Sequence, residues 1–198
     1  MTGELKSGTF IRLDDTAAHL GVSITPVREA LLTLRGEGMV RLEPRRGYVV
    51  LPLSRQDVVD IFWLQATIAK ELAVTASQQF TDEQINDLDR ANEAFAEAIV
   101  QGDWATLDAA EFALHRLFNR TTGRIKLAWF LVHLARYLRP LIYLSDESWR
   151  EAGVESHRRF IAALRRRDSA ALVELVDAEF ADGVRRLTEQ LEARGMWG

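Results

Sequence analysis

Hydrophobic residues at helical spacing near the start of the chain predict two short helices joined by a tight turn. The first helix would end at Gly21, a turn residue. The second would begin at Ser23, a residue type that caps helices, with Pro26 in its first turn, where a missing N–H costs nothing. The apolar positions are Leu13, Ala17 and Leu20 in the first helix, and Val27, Ala30, Leu31 and Leu34 in the second. Such a pattern is typical of a helix-turn-helix.

Polar side chains occupy the outer side of the second predicted helix, close to its start. They are Ser23, Thr25 and Arg28, two short hydroxyl donors and a cation. Helix-turn-helix proteins contact base edges in the major groove with this part of the recognition helix. The pattern therefore predicts binding to double-stranded DNA.

The periodicity then changes from helical to alternating and predicts a two-stranded hairpin. Residues 39–43 form the first predicted strand and residues 48–51 the second, with a turn at Pro44-Arg45-Arg46-Gly47. Arg45 and Arg46 place positive charge at the hairpin tip, where it can contact phosphates or the minor groove. In an isolated hairpin we would expect the two arginines to be solvated, but their place directly after a recognition helix favours DNA contact.

From Ser54 onward the hydrophobic spacing is helical to the end of the chain. Six helices are predicted near 55–78, 82–101, 103–121, 124–144, 147–167 and 169–194. Pro140 is expected to kink its helix rather than end it. The predicted fold is therefore mainly α, with an N-terminal winged helix-turn-helix domain at residues 1–53. An all-α antiparallel bundle would follow at residues 54–198, with an interior able to hold ligands or metals.

Composition is that of a globular protein, and the charge is unevenly distributed. The formal net charge is −4, yet residues 1–55 contain eight Lys/Arg against six Asp/Glu. The predicted DNA-binding part is thus mildly basic, and the acidic excess lies elsewhere. The chain has no cysteine, which excludes disulfides and thiolate metal ligands and fits a cytoplasmic protein. No apolar run approaches the length of a membrane span, so no membrane association is expected.

Residues 3–52 resemble the winged helix-turn-helix of the GntR superfamily of bacterial transcription regulators. The resemblance is carried by Val22-Ser23 and Thr25-Pro26-Val27-Arg28-Glu29-Ala30-Leu31, followed by Glu37-Gly38 and the turn Arg45-Arg46-Gly47. It implies that Ser23, Thr25 and Arg28 contact bases and phosphates, and that Gly47 is the wing-tip glycine. The family usually has Arg where Ile24 stands here, and an isoleucine can instead contact a thymine methyl group.

The helical part resembles the FCD ligand-binding domain of the FadR-like branch of that superfamily. Glu111-Phe112-Ala113-Leu114-His115 is similar to the D-x-x-x-H segment of that domain, with Glu replacing Asp. Glu155-Ser156-His157 followed by Asp168 is similar to a second segment. The resemblance implies a metal site formed by Glu111, His115, His157 and Glu179, where Glu179 replaces a family histidine.

Two nitrogen and two carboxylate ligands suit Zn, Ni, Fe or Mn, and a bound cation can offer open positions to a carboxylate-bearing metabolite. Without the resemblance, we would instead interpret Glu111 and His115 as a surface pair one helical turn apart, and His157 as a helix cap.

Other polar groups on the helix predicted at 124–144 are candidates for effector binding. Arg136 and Arg139, near Tyr137, would recognise a carboxylate through their guanidinium groups if they face the pocket, and would be solvated if they do not. His133 lies on an apolar face and is interpreted as a core histidine or a polar group of the pocket.

Three functions are compared. The leading hypothesis is a transcription repressor that binds a palindromic operator as a homodimer and responds to a small carboxylate effector. The second is a metalloregulator, in which the metal itself is the signal and changes DNA affinity without an organic effector. The third is a metal-dependent enzyme, which is disfavoured because the sequence lacks a nucleophile elbow and a phosphate-binding glycine loop. We therefore expect a regulator that is not an enzyme.

Overall fold

The computed structural model describes residues 7–102, 104–138, 147–193 and 195. The N-terminal elements are β1 (Phe10–Ile11), α1 (Leu13–Leu20), α2 (Ile24–Gly36), β2 (Val40–Glu43) and β3 (Gly47–Val50). The helical elements are α3 (Arg55–Gln79), α4 (Asp82–Gln101), α5 (Trp104–Thr121), α6 (Ile125–Ala135), α7 (Glu147–Arg165) and α8 (Ser169–Ala193). A small sheet next to two helices, followed by a set of long helices, confirms the predicted fold class.

The helix-turn-helix forms as predicted, and Gly21 makes the turn possible. Gly21 has a positive φ of 66°, and its N–H reaches the carbonyls of Ala17 and Ala18, which ends α1. Val27 and Leu31 of α2 are buried. The predicted apolar face of α2 is too wide, because Ala30 is exposed and Leu34 only half-buried. The core of this module consists of Ile11, Ala17, Val27, Leu31, Val40 and Tyr48.

The sheet has three strands, one more than the sequence predicts. The central strand, β3, pairs antiparallel with β2 and also with β1. In the register, Tyr48 lies opposite Leu42 on one side and Ile11 on the other. The hairpin prediction is therefore confirmed, and β1 was missed because two residues are too few to show an alternating pattern.

Among the described residues, each of the six predicted helices is present, and one needs a correction, α6. The sequence predicts a helix to residue 144, whereas the structure ends α6 at Ala135. The N–H groups of Arg136, Tyr137 and Leu138 each bond to the carbonyl three residues back, which tightens the backbone into a turn. This turn precedes Pro140, whose ring disfavours helical backbone at the residue before it. The predicted kink at Pro140 falls outside the described residues.

The chain forms two compact units. One contains the described residues up to Asp57 together with those from Thr188, and within it Arg55 forms an ion pair with Glu192 at 2.8 Å. The other runs from Val58 to Leu187. Its core includes fully buried side chains from four helices: Leu72 of α3, Ile85 of α4, Leu164 of α7 and Leu172 of α8. None of the described helices is long and apolar enough to cross a membrane.

Candidate functional site

The start of α2 presents the predicted DNA-contacting residues to solvent. Ser23, Ile24, Thr25 and Arg28 are all exposed. Ser23 is the residue before the helix, with extended backbone (φ −73°, ψ 165°), but its hydroxyl makes no capping bond, contrary to the capping role expected from the sequence. Within the described ranges, no hydrogen bond or ion pair engages the side chains of Ser23, Thr25 or Arg28. These donors are therefore available to a ligand.

The turn between β2 and β3 requires a glycine at position 47. Gly47 has a φ of +101°, and a Cβ atom at that position would lie 2.6 Å from the carbonyl oxygen of Ile11. Arg45 also has a positive φ, 66°, which places an exposed cation at the tip. The Arg46 guanidinium lies over the ring of Phe10 in β1, 4.5 Å from its centre. The hairpin tip thus holds two exposed arginines on a fixed backbone.

In the helical unit, two of the predicted metal ligands lie side by side. The rings of His115 on α5 and His157 on α7 are 5.3 Å apart at an angle of 81°. Two imidazoles that bind one ion through nitrogens at about 2.0–2.1 Å have ring centres about 5 Å apart. His157 is buried, and its ring also packs 5.8 Å from that of Phe95. The histidine pair therefore has the spacing that a shared ion needs.

The electrostatics of this cluster lack a positive charge. Burial raises the pKa of Glu111 to about 7, and the negative charges of Asp108 and Glu179 add to the shift. Burial lowers the pKa of His115 to about 4, with repulsion from His157 in the same direction. His115 is exposed, whereas His157 is buried, so the pair lies where solvent can reach one of its two rings. A cation beside these groups would favour ionised Glu111 and neutral imidazoles.

The two carboxylates do not complete a metal site with the histidine pair in this structure. Glu179 is exposed, and its carboxylate accepts a hydrogen bond from the Ser156 hydroxyl at 3.0 Å. Among the described residues, no group of three or more His, Cys, Asp or Glu side chains is close enough together to hold a metal ion. The spacing of the two histidine rings is compatible with one shared ion, and a complete set of ligands would require the glutamate side chains to move toward them.

A buried amide lies next to this cluster, at a position that the sequence patterns had not indicated. Asn92 of α4 is 3% exposed, and its side-chain oxygen lies 3.0 Å from Nδ1 of His157. Its amide nitrogen donates to the Val154 carbonyl at 3.3 Å. A signal was present in the sequence: Asn92 continues the inward-facing spacing of Ile85, Leu88 and Phe95, where an apolar residue is expected.

The predicted effector-binding residues lie around the end of α6. His133 is half-buried; its Nδ1 donates to the Trp129 carbonyl at 2.8 Å, and its ring stacks on that of Trp129. Its Nδ1 is thus bonded within its own helix. Arg136 is exposed at the C-cap, and Tyr137 is half-buried in the turn that follows. Arg139 lies outside the described residues.

The N-terminal module has an exposed recognition helix and a basic hairpin, and the helical unit has two adjacent histidines. These are features of a DNA-binding regulator with a ligand-sensing domain. Comparison with known families agrees with this class. Residues 1–50 match the gntR family of bacterial regulatory proteins, and residues 60–182 match the FCD domain. The chain therefore belongs to the FCD-containing regulators of the gntR family, as the sequence resemblance implied.

Known relatives are transcription regulators. The gluconate operon transcriptional repressor of Bacillus licheniformis is 24% identical, in a match that covers 98% of this chain and 85% of the relative. A probable D-xylose utilization operon transcriptional repressor of Paenarthrobacter nicotinovorans is 29% identical over 84% of this chain and 74% of the relative. Escherichia coli McbR/YncC has a similar structure, with a TM-score of 0.75 and 21% identity, covering 95% of this chain and 91% of that one. The chain is a transcription regulator and not an enzyme.

Proposed function

We propose that this regulator is a repressor whose affinity for its operator is controlled by a small carboxylate metabolite, bound beside a divalent metal in the helical unit. The observation that supports this proposal is the close pair His115 and His157 next to Glu111, a carboxyl group whose pKa is raised to about 7. Two of the relatives named above are a gluconate operon repressor and a probable D-xylose utilization operon repressor, which is consistent with a metabolic signal.

The DNA-binding side of the proposal assigns roles by position. Ser23, Thr25 and Arg28 contact bases and phosphates in the major groove, and Ile24 contacts a thymine methyl group. Arg45 and Arg46 contact the backbone or the minor groove, and Gly47 allows the tight tip. Support comes from the exposure of these side chains and from the absence of intramolecular partners for Ser23, Thr25 and Arg28 in the described part of the chain.

On the sensing side, His115 and His157 would hold the metal, with Glu111 and Glu179 as carboxylate ligands. The metal would supply open coordination positions for an anionic effector. Glu111 would remain ionised next to it. The effector controls DNA binding only if it binds one arrangement of the protein better than the other.

The experiment is metal analysis of protein purified without chelator, followed by DNA binding measured by fluorescence anisotropy. Operator fragments are titrated with apo-protein, with protein plus Zn²⁺, Ni²⁺ or Mn²⁺, and with metal plus gluconate or other sugar acids. The proposal expects the DNA affinity to change only when metal and carboxylate are both present. A change with metal alone would favour the metalloregulator, and no bound metal under any condition would refute the metal site.

We also propose that the regulator acts as a homodimer, with α6 in the dimer contact. Among the described helices, α6 is unusual because it has no buried residue although it is strongly apolar. Ile125, Trp129, Phe130 and Val132 are between 40% and 75% exposed. Two half-exposed aromatic rings with two aliphatic side chains present roughly 400 Å² of apolar surface. That is about half of what each partner of a standard interface contributes, and a second copy would cover it with an equally apolar surface.

Sedimentation velocity at micromolar concentration tests the dimer. Trp129→Glu should convert the protein to a monomer and weaken binding to a palindromic operator. Val100→Glu is the matched control, because Val100 of α4 is 88% exposed and should leave the mass unchanged. A monomeric wild-type protein with full operator affinity would contradict the dimer, and a dimeric Trp129→Glu variant would exclude α6.

A further inference from the structure

Asn92 joins α4 to α7 through two hydrogen bonds in a buried part of the helical unit. Its amide nitrogen donates to the Val154 carbonyl at 3.3 Å, and its amide oxygen lies 3.0 Å from Nδ1 of His157. Asn92 is 3% exposed and His157 is 8% exposed. Both ends of the amide are therefore bonded to protein, in a place where water offers little competition.

These two bonds determine which nitrogen of His157 bears the hydrogen. A carbonyl oxygen only accepts, so the amide nitrogen of Asn92 must face Val154, and the amide oxygen is left to face His157. Because that oxygen also only accepts, Nδ1 of His157 must donate. A neutral imidazole with its hydrogen on Nδ1 has its free lone pair on Nε2.

We infer that Asn92 is a positioning residue that holds His157 in the tautomer whose Nε2 can bind a divalent metal next to His115. The inference rests on the metal site proposed above and adds a residue that does not itself touch the ion. Partners of this kind fix the tautomer and the ring orientation of metal-bound histidines, and their loss commonly costs 10–100-fold in metal affinity. The neighbouring ring of Phe95, 5.8 Å away, confines the same imidazole without bonding to it.

The first test uses metal-free protein and ¹⁵N NMR of the imidazole nitrogens, with the His157 signals assigned from a His157→Gln variant. Wild-type protein should show His157 protonated on Nδ1, whereas Asn92→Leu should show a mixture of tautomers. A wild-type His157 protonated on Nε2, or an unchanged tautomer in Asn92→Leu, overturns the inference. Because no metal is present, this result does not depend on the proposed function.

The second test measures Zn²⁺ affinity by competition with a chromophoric chelator. Asn92→Leu should bind Zn²⁺ 10–100-fold more weakly. Asn92→Asp keeps an oxygen acceptor for Nδ1 but loses the donor to Val154, so it should recover most of the affinity. Phe95→Leu is the control, since it disturbs the packing around His157 while leaving the Asn92 bonds in place, and it should bind close to wild type.

Equal losses in Asn92→Leu and Phe95→Leu, or no recovery in Asn92→Asp, would show that Asn92 acts only through stability and overturn the inference. If the wild-type protein binds no Zn²⁺, the proposed metal site fails and the metal part of the inference fails with it. The tautomer measurement then decides whether Asn92 orients His157. The failures of the two proposals are thus distinguishable.

Discussion

Replacement of Gly183 by alanine sets two effects of opposite sign against each other. Gly183 lies in the middle of α8, where alanine is more favourable than glycine by about 1 kcal/mol. However, a Cβ at this position would lie 2.5 Å from Cε1 and 3.1 Å from Cζ of Phe62. Carbon atoms in ordinary contact are about 3.5–4.0 Å apart, so α8 and the Phe62 ring must separate by about 1 Å.

The ring has little freedom to move away. Phe62 is 5% exposed and packs edge-on against Phe180, with ring centres 6.1 Å apart. Overpacking of this kind costs about 1–3 kcal/mol, which exceeds the helix-propensity gain. We expect Gly183→Ala to lower the free energy of unfolding by about 1 kcal/mol, which corresponds to a drop in Tm of about 2–4 °C for a chain of this size.

Urea and thermal unfolding followed by circular dichroism measure this change, and Gly153→Ala is the matched control. Gly153 also lies within a helix, α7, and also faces a phenylalanine, but its Cβ would lie 3.8 Å from Phe95, an ordinary contact. Gly153→Ala should therefore stabilise the protein by about 0.5–1 kcal/mol. Equal stabilisation by both substitutions would refute the reasoning, because the Phe62 contact would then have no cost.

Four further outcomes concern the DNA-binding module, the histidine pair and the start of α3. Arg28→Ala should weaken operator binding by about 1–3 kcal/mol if Arg28 contacts a base, or reduce the salt dependence of binding if Arg28 contacts phosphate. Gel shifts in which the variant binds like wild type at every salt concentration would show that Arg28 is not in the interface. Gly47→Ala should abolish DNA binding, because a Cβ 2.6 Å from the Ile11 carbonyl oxygen would separate β1 from β3. A variant that keeps its β-structure and binds DNA with full affinity would contradict this. A chelator should lower the Tm of wild-type protein but not that of His115→Ala. A free metal concentration of 100 times the Kd stabilises the folded protein by about 2.7 kcal/mol. An equal Tm of the wild-type protein with and without chelator argues against the metal site. Hydrogen bonds from Ser54 lower the pKa of the Asp57 carboxyl group. Their contribution to the stability is therefore present above about pH 4 and is lost as the pH falls through the lowered pKa. In urea titrations, Ser54→Ala should be less stable than wild type by about 1 kcal/mol at pH 7, and this difference should become smaller at pH 3.

The sequence predicted best where a local pattern determines the structure. Gly21, Ser23 and Pro26 define the turn and the start of α2, and alternation defines the β2–β3 hairpin, so these elements appear where they were expected. β1 could not be predicted in this way, because its two residues are a strand only through their pairing with β3. The end of α6 was also missed, since an apolar pattern continues past Ala135 while the backbone leaves the helix.

For the histidine cluster, the spacing of residues in the sequence predicted only which side chains share a face of one helix. The four-residue spacing places Glu111 and His115 on one face of α5, but nothing in that spacing brings His157 of α7 within 5.3 Å of His115. That juxtaposition depends on how α5 and α7 are placed in the helical unit, and only the resemblance to a family indicated it. The hydrogen bond between Glu179 and Ser156 depends on side-chain geometry and could not be inferred from the spacing or from the resemblance.

The contact between Arg46 and Phe10 has a consequence for the entropy of binding. A free arginine at a hairpin tip samples many rotamers and loses about 1.5–2 kcal/mol of conformational freedom when a ligand fixes it. The side chain of Arg46 is already restricted in the unbound protein, because its guanidinium lies against the Phe10 ring. The exposed side chain of Arg45 makes no such contact among the described residues. Of two adjacent arginines with the same charge, Arg46 therefore loses less entropy on meeting a phosphate, and it yields more binding free energy for each contact that it makes.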